Sequence, residues 1–297
     1  MAIDRDMMKK RVFLILVTYN GEKWLKKCLD SVFNSTYPVS VIAIDNNSND
    51  ATLSILNQYN EIDIIDSKSN LGFGKANNIG IEKALNENAD YLFLLNQDTW
   101  IFPDTIKSLV DAAEKNENYG IISPLHYSGD EKTLDSSFKT YWERKTSTLE
   151  ENIDEVPFVN AAAWLLPAHV VKKVGYFEPM FDHYGEDRNY VERVKYHDFK
   201  IVITNNARIC HDRIPKRVFK KDVIQSKYTI QAEILNINHN LIYSYWKGFI
   251  SVFGLPKFFL KIYPVKKSIL MFFKLMGFYI KLNLKLFKII KIRNSYK

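Results

Sequence analysis

The sequence predicts an α/β fold with a mostly parallel central sheet flanked by helices, and three observations carry that reading. Over the first 122 residues, short apolar runs of strand length alternate with stretches of helical spacing. Polar clusters rich in Asn, Asp, Ser and Gly follow those apolar runs directly. The length of 297 residues, with 46% hydrophobic and 25% charged residues, suits one large domain or a domain with an appendage. It excludes a disordered or collagen-like chain.

Residues 12–17 form the first strand. Basic residues precede them, but six apolar residues fall short of the ~7–15 of a signal-peptide core. Residues 22–33 place Trp24, Leu25, Leu29 and Val32 at helical spacing, and 41–45 is a second strand. Helix over 51–59, strand over 62–65, helix over 75–85 and strand over 91–95 follow. Pro103 opens a helix reaching about 115, where its missing N–H is harmless. Residues 121–122 close the alternation as a strand. Residues 123–157 read as a polar insertion, 158–167 as a return to apolar sequence and 199–203 as another strand. Two cysteines are too few for a disulfide framework and fit a reducing compartment.

In open sheets of this type, ligands bind beyond the carboxyl ends of the strands. The clusters there are Thr18-Tyr19-Asn20-Gly21, Asp45-Asn46-Asn47-Ser48-Asn49-Asp50 and Asn96-Gln97-Asp98-Thr99. A fourth, Asn70-Leu71-Gly72-Phe73-Gly74, precedes the helix containing Asn77. Each alone could be ordinary turn and capping chemistry. Four on one sheet edge suit a ligand with a base, a ribose and phosphates.

The formal charge of +7 is unevenly distributed. No acidic residue follows Glu233, whereas twelve Lys and Arg residues lie between Lys247 and Lys297. The first 233 residues carry 29 basic and 34 acidic side chains. The basic pI therefore describes the tail, not the body's substrate. Residues 264–293 read as a long helix whose Lys267, Lys274, Lys281, Lys285 and Lys288 share an arc of roughly 60°. The rest of that helix is mainly Ile, Leu, Met and Phe, the pattern of an amphipathic helix lying on an anionic membrane surface. Packing on the body or on a second copy, as a homodimer, is the alternative. Nucleic-acid binding would explain the lysines but not the aliphatic residues among them. No run reaches the roughly 18 uncharged apolar residues of a spanning helix.

Together, Val17-Thr18-Tyr19-Asn20, Asp45 through Asp50, Asn70-Leu71-Gly72 through Ala76-Asn77-Asn78-Gly80, Leu95-Asn96-Gln97-Asp98, Gly185-Glu186-Asp187 and His211 form an ordered set. In order and spacing the chain resembles the family 2 glycosyltransferases, and most closely their bacterial rhamnosyltransferase-like members. The resemblance covers about residues 11–215. It implies the GT-A nucleotide-diphospho-sugar transferase fold over residues 1–215; the residues outside the resemblance read as a helical extension over 216–255 and a basic amphipathic membrane-associating tail over 256–297.

The resemblance also assigns roles. Asn96-Gln97-Asp98 occupies the family's Asp-x-Asp motif, so Asp98 is the expected ligand for Mg²⁺ or Mn²⁺, with His211 completing the metal site. Asn96 departs from the motif and offers a neutral oxygen. An N-cap role for Asp98 and a purely structural one for His211 are the alternatives. Thr18, Tyr19, Asn20, Asp45, Asn47, Gly72, Asn77 and Gln97 are expected around the nucleotide, Asp45 accepting from the N3–H of uracil or thymine. Asp187 matches the general base, its pKa raised in a partly desolvated site. Glu186 is expected to bind acceptor hydroxyls, although first-turn helix stabilisation would also account for the pair. Trp164 suits stacking on a sugar, or the core.

The implied function is an inverting, metal-dependent glycosyltransferase. It would move a sugar from a UDP or dTDP donor to a hydroxyl of a cell-surface polysaccharide or lipid-linked oligosaccharide, at the cytoplasmic face of the membrane. A sugar nucleotidylyltransferase and a catalytically silent membrane scaffold with the same fold are the competing readings. The former normally carries an early Gly-rich, basic triphosphate loop, which Thr18-Tyr19-Asn20-Gly21 does not supply.

Overall fold

The computed structural model describes residues 9–213 and 217–297. The chain divides into two compact units, one comprising Met1–Tyr176 with Phe199–Arg213 and the other Phe177–Asp198 with Ile214–Lys297. The domain boundary expected at 215/216 lies outside the described residues.

The first unit carries the sheet. In chain order its elements are β1 (Val12–Thr18), α1 (Glu22–Phe33), β2 (Val39–Asp45), α2 (Thr52–Leu56), β3 (Ile62–Asp66) and α3 (Phe73–Asn86). Then come β4 (Tyr91–Asn96), β5 (Thr99–Ile101), α4 (Thr105–Ala113), β6 (Tyr119–Ser128) and α5 (Ser136–Trp142). β7 (Ser147–Glu150), β8 (Ile153–Glu155), β9 (Ala163–Pro167), α6 (Ala168–Val174) and β10 (Lys200–His211) complete it.

The strand order is β3-β2-β1-β4-β9-β6-β10-β8-β7, with β5 pairing to β10. β3, β2, β1 and β4 run parallel, as do β6 and β10. β1 and β4, inside the sheet, are apolar almost along their whole length because helices cover both faces of a parallel sheet. On α1, Leu25, Cys28, Leu29 and Val32 recur at helical spacing and are all buried. They join Leu14, Leu16, Phe93, Leu165, Val202 and Ile209 in one core.

Three features differ from the sequence expectation. β9 enters antiparallel between β4 and β6, so the sheet is mixed where two parallel blocks meet. β6 runs on to Ser128, so the polar insertion begins beyond the strand rather than at residue 123. β10 extends to His211 instead of ending at residue 203, because its register against β6 shifts between Thr204 and Arg208. Thr204, Asn205 and Asn206 interrupt the apolar pattern there. The partner at the shift is Pro124, which has no N–H to give to a ladder.

The second unit is helical: α7 (Glu186–Tyr196), α8 (Phe219–Leu235), α9 (Leu241–Phe259), α10 (Val265–Asn283) and α11 (Leu286–Ser295). Its core combines Phe181, Ile230, Ile234, Val252, Met271, Leu275, Leu282 and Ile289. The long helix expected over 264–293 is interrupted at Leu284 and Lys285, which cap α10 and α11 respectively. Pro256, where the tail was expected to begin, lies inside α9.

Residues 293–296 fasten this unit. The buried Arg293 donates to the carbonyls of Ile234, Asn236 and His239 and to Ser244 Oγ. The Tyr296 hydroxyl donates to Glu178 Oε2 at 3.0 Å, and its carbonyl lies 3.1 Å from His197 Nε2. The Arg193 guanidinium stands 4.0 Å from the Tyr296 ring centroid.

Large apolar side chains remain exposed on this unit. Ile242, Trp246, Ile250 and Phe253 follow helical spacing on α9, as do Val265, Ile269 and Phe273 on α10. Leu284 and Phe287 are 84% and 87% exposed. Lys267, Lys274, Lys281, Lys285 and Lys288 are exposed as well. Among the described residues, no helix is long and apolar enough to cross a membrane.

Candidate active site

The carboxyl ends of β1, β2 and β4 are tied together by their own polar residues. Thr18 Oγ1 donates to Asp45 Oδ1 at 2.9 Å, and Ser48 donates its backbone N–H and its hydroxyl to the same carboxylate. Asp45 is thus almost wholly buried and organises the turn after β2. Asn20 accepts from the Asn49 N–H and donates its own N–H to Ser48 Oγ. Asn46 joins this edge to the next loop, accepting from the Leu71 N–H and donating to the Gly72 carbonyl.

Gln97 closes the arrangement. Its Oε1 accepts from the Tyr19 N–H and its Nε2 donates to the Tyr19 carbonyl, both at 2.9 Å. A β-carbon on Gly21 would stand 2.2 Å from Gln97 Oε1, so the clasp requires glycine there. Asn77 is buried, with its amide on the Phe73 carbonyl. The expected nucleotide residues therefore divide in two. Thr18, Asn20, Asp45, Asn77 and Gln97 have side chains engaged in the framework. Tyr19 and Asn47 are exposed, and Gly72 enters α3 with a φ of 79°. The Asn96 side chain makes no hydrogen bond among the described residues.

Asp98 follows this clasp and faces the end of β10. Its Oδ2 lies 3.3 Å from Nε2 of His211, which is 3% exposed. Two neighbouring ligands of an octahedral ion with bonds of about 2.1 Å stand roughly 3 Å apart, so the pair fits a shared Mg²⁺ or Mn²⁺. No third His, Cys, Asp or Glu joins them among the described residues. Such a site leaves its other positions to substrate phosphates and water.

Sequence reasoning missed the residues that brace this corner. Asp212 Oδ2 accepts from Trp24 Nε1 at 2.8 Å, and its N–H donates to the Asp98 carbonyl. Arg213 forms a two-point pair with Asp135, Nε to Oδ2 at 3.0 Å and Nη2 to Oδ1 at 2.8 Å. Burial works against the Asp135 charge, but Arg213 and the Phe138 N–H outweigh it and hold the pKa at about 2. Asp135 is also the N-cap of α5, so one carboxylate secures both the insertion and the segment after His211. Position next to His211 was the only signal in the sequence.

Trp164 requires a correction. It lies within β9 opposite Leu94 and is 0% exposed, so it has no face to offer a sugar. The apolar residues on both sides of it draw the ring inward as part of a central strand.

The acidic pair belongs to the second unit. Tyr184 and Gly185 take φ values of 76° and 88°, and α7 begins at Glu186. A left-handed tyrosine is a backbone outlier of the kind that clusters at functional sites. Asp187 Oδ1 accepts from the Arg188 N–H at 2.7 Å. Glu186 is buried, and its Oε2 has no hydrogen-bond partner among the described residues. Burial, and then the neighbouring Asp187 charge, raise the Glu186 pKa to about 7.

The sequence model of the family Glycosyl transferase family 2 matches residues 13–175, more than half of the chain. The chain belongs to that family. It is 23% identical over 248 residues to an uncharacterized glycosyltransferase of Rickettsia typhi, covering 80% of this chain and 71% of that protein. It is 25% identical over 232 residues to the N-acetylglucosaminyl-diphospho-decaprenol L-rhamnosyltransferase of Mycobacterium tuberculosis, covering 67% and 75% respectively.

Among solved structures, S. aureus TarS 1-349 in complex with UDP-GlcNAc superposes with a TM-score of 0.64 at 15% identity, covering 91% of this chain and 81% of that one. The mannosyltransferase PcManGT from Pyrobaculum calidifontis, in complex with GDP-Man and Mn²⁺, gives 0.60 at 14% identity, covering 93% and 87%. The fold of this family 2 glycosyltransferase is GT-A, with a C-terminal helical region.

Proposed function

We propose that this glycosyltransferase is inverting and metal-dependent, moving a sugar from a pyrimidine nucleoside-diphosphate donor to a hydroxyl of a saccharide or lipid-linked acceptor. The observation that carries the reading is the 3.3 Å approach of Asp98 and His211 at the sheet's carboxyl edge. Bound there, Mg²⁺ or Mn²⁺ would neutralise charge developing on the departing diphosphate. Asp98 and His211 would hold it, while Asn96 supplies a neutral oxygen to the sugar or ribose. Tyr19, Asn47 and the Gly72 backbone border the base and ribose, held by the frame built on Asp45 and Gln97.

Asp187 takes the proton from the acceptor hydroxyl. That oxygen then bonds to the anomeric carbon as the bond to the nucleoside diphosphate breaks, inverting the centre. With its pKa raised to about 7 by burial and by Asp187, Glu186 is partly protonated at neutrality and in that form donates a hydrogen bond to an acceptor hydroxyl. Its buried, unpartnered oxygen supports that role.

The exposed apolar residues of α9 and α10, with the lysines beside them, support peripheral attachment to an anionic membrane, where a lipid-linked acceptor resides. A lysine near such a surface contributes about 1 kcal/mol. On this reading the protein works at the cytoplasmic face.

The test is a panel of nucleotide sugars with Mn²⁺ or Mg²⁺ and a saccharide-lipid acceptor, following nucleotide products. Release of nucleoside diphosphate coupled to sugar transfer is expected. Pyrophosphate release would assign nucleotidylyl transfer instead, and absence of binding to every donor would assign a silent scaffold.

A further inference from the structure

A cavity of about 270 Å³ opens within the second unit, lined by residues of that unit alone. Lys281, in the last turn of α10, and Lys285, the N-cap of α11, line it, and Phe278 and Leu284 supply apolar wall. Tyr228 and Asp182 line it too, the Tyr228 hydroxyl donating to Asp182 Oδ2 at 3.3 Å. Gln231 already donates its amide to the Met180 carbonyl at 3.0 Å. Neither ammonium group has a carboxylate within salt-bridge distance among the described residues. Two unpaired cations against one carboxylate leave the pocket positive.

Two further observations narrow the occupant. Leu284, on the lining, is 84% exposed and adjoins the exposed Ile280 and Phe287, so the cationic pocket opens beside an oily surface. A small anion alone would need no such surface. Tyr228 also backs the acidic motif, its Cβ lying 3.0 Å from where a β-carbon on Gly185 would stand. Gly185 caps α7 immediately before Glu186 and Asp187. An anionic group held by the lysines is thus one side chain removed from the two acids.

We propose that this pocket binds the phosphate or diphosphate of a lipid-anchored acceptor, with Lys281 and Lys285 on the phosphoryl oxygens and the hydrocarbon chain leaving over Leu284. This assignment rests on the proposed acceptor role of Glu186 and Asp187 and adds the chemical class of the acceptor's anchor. The lysines act as phosphate ligands, which suits compact charges on flexible stems.

Calorimetric titration of the full chain with farnesyl diphosphate, inorganic pyrophosphate and farnesol tests the proposal. Farnesyl diphosphate is expected to bind more tightly than either fragment. The double variant Lys281→Gln/Lys285→Gln should weaken it by about tenfold or more, the scale of a charge-assisted contact. Lys257→Gln/Lys261→Gln, an equal change of charge outside the lining, should leave it unaltered. Equal weakening in both variants, equal binding of pyrophosphate, or no binding of farnesyl diphosphate would overturn the assignment. Nucleoside diphosphate release is measured alongside. Transfer without lysine-dependent lipid binding refutes the pocket alone, and lysine-dependent binding without transfer from any donor refutes the transferase reading.

Discussion

Asp98 Oδ2 stands 3.3 Å from His211 Nε2, although 113 positions of chain separate the two residues, and no carboxylate, thiolate or other imidazole completes the pair among the described residues. A two-ligand site depends strongly on each ligand. Asp98→Ala and His211→Ala are each expected to lower Mn²⁺-dependent affinity for a nucleoside diphosphate by about tenfold or more. Titration with and without Mn²⁺ measures this. If the affinity difference between the two conditions survives both substitutions, the ion is held elsewhere.

Asp187→Asn preserves the size of the side chain but removes its capacity to accept a proton. Donor binding should stay near wild type while transfer falls by about 10²–10⁴-fold, the usual worth of a positioned base. Transfer at the wild-type rate would exclude Asp187 as the base.

Glu186 gives the fold a pH dependence of defined sign. Its pKa is about 7 in the folded chain against an ordinary 4.5, so between those values the folded state binds more protons than the unfolded one. Stability is complete below the lower value and declines as pH rises through the window. Glu186→Gln should remove that decline and raise stability at pH 8 by up to about 3 kcal/mol. Thermal melts at pH 5 and pH 8 compare the proteins, and an equal shift at both pH values would contradict the buried-acid account.

The clasp of Gln97 on Tyr19 leaves no room beside Gly21. Gly21→Ala should destabilise by about 1–3 kcal/mol, because the new methyl displaces an amide held by two hydrogen bonds. Combining it with Gln97→Ala should cost less than the sum of the separate changes. Denaturant unfolding of the four proteins measures the coupling, and strict additivity would show that the two residues act independently.

Membrane attachment is tested by flotation with anionic liposomes. A truncation before Pro256 would cut through α9, so point changes are preferable. Trp246→Glu with Phe273→Glu should reduce recovery in the liposome fraction several-fold, each change removing an aromatic anchor and adding a repelled charge. Unchanged recovery would leave the exposed face to a second copy of the chain.

The sequence was most informative where one physical pressure acts alone. β1, β2 and β4 are apolar runs ended by polar clusters, and that pattern located the sheet edge and Asp98. It was least informative where pressures compete. Trp164 looks like a sugar platform because aromatic residues serve both uses, and only its place in a central strand decides for the core. The extension of β10 to His211 was hidden because Asn205 and Asn206 resemble a loop until a bulge accommodates them. Gln97 looked like a ligand residue, yet both ends of its amide go to the Tyr19 backbone, a pairing that spans 78 residues. The lysine pocket requires side chains from three separate segments, and no local pattern announces it.

The fastening of residues 293–296 bears on how the protein is made. His197, just past the end of α7, meets the Tyr296 carbonyl 99 residues later. On a ribosome the acidic helix therefore emerges long before the tyrosine that braces it. The sheet unit can begin to fold during translation, but this brace forms only after residue 296 has left the exit tunnel, which makes maturation of the second unit wait for a segment made 99 residues after His197.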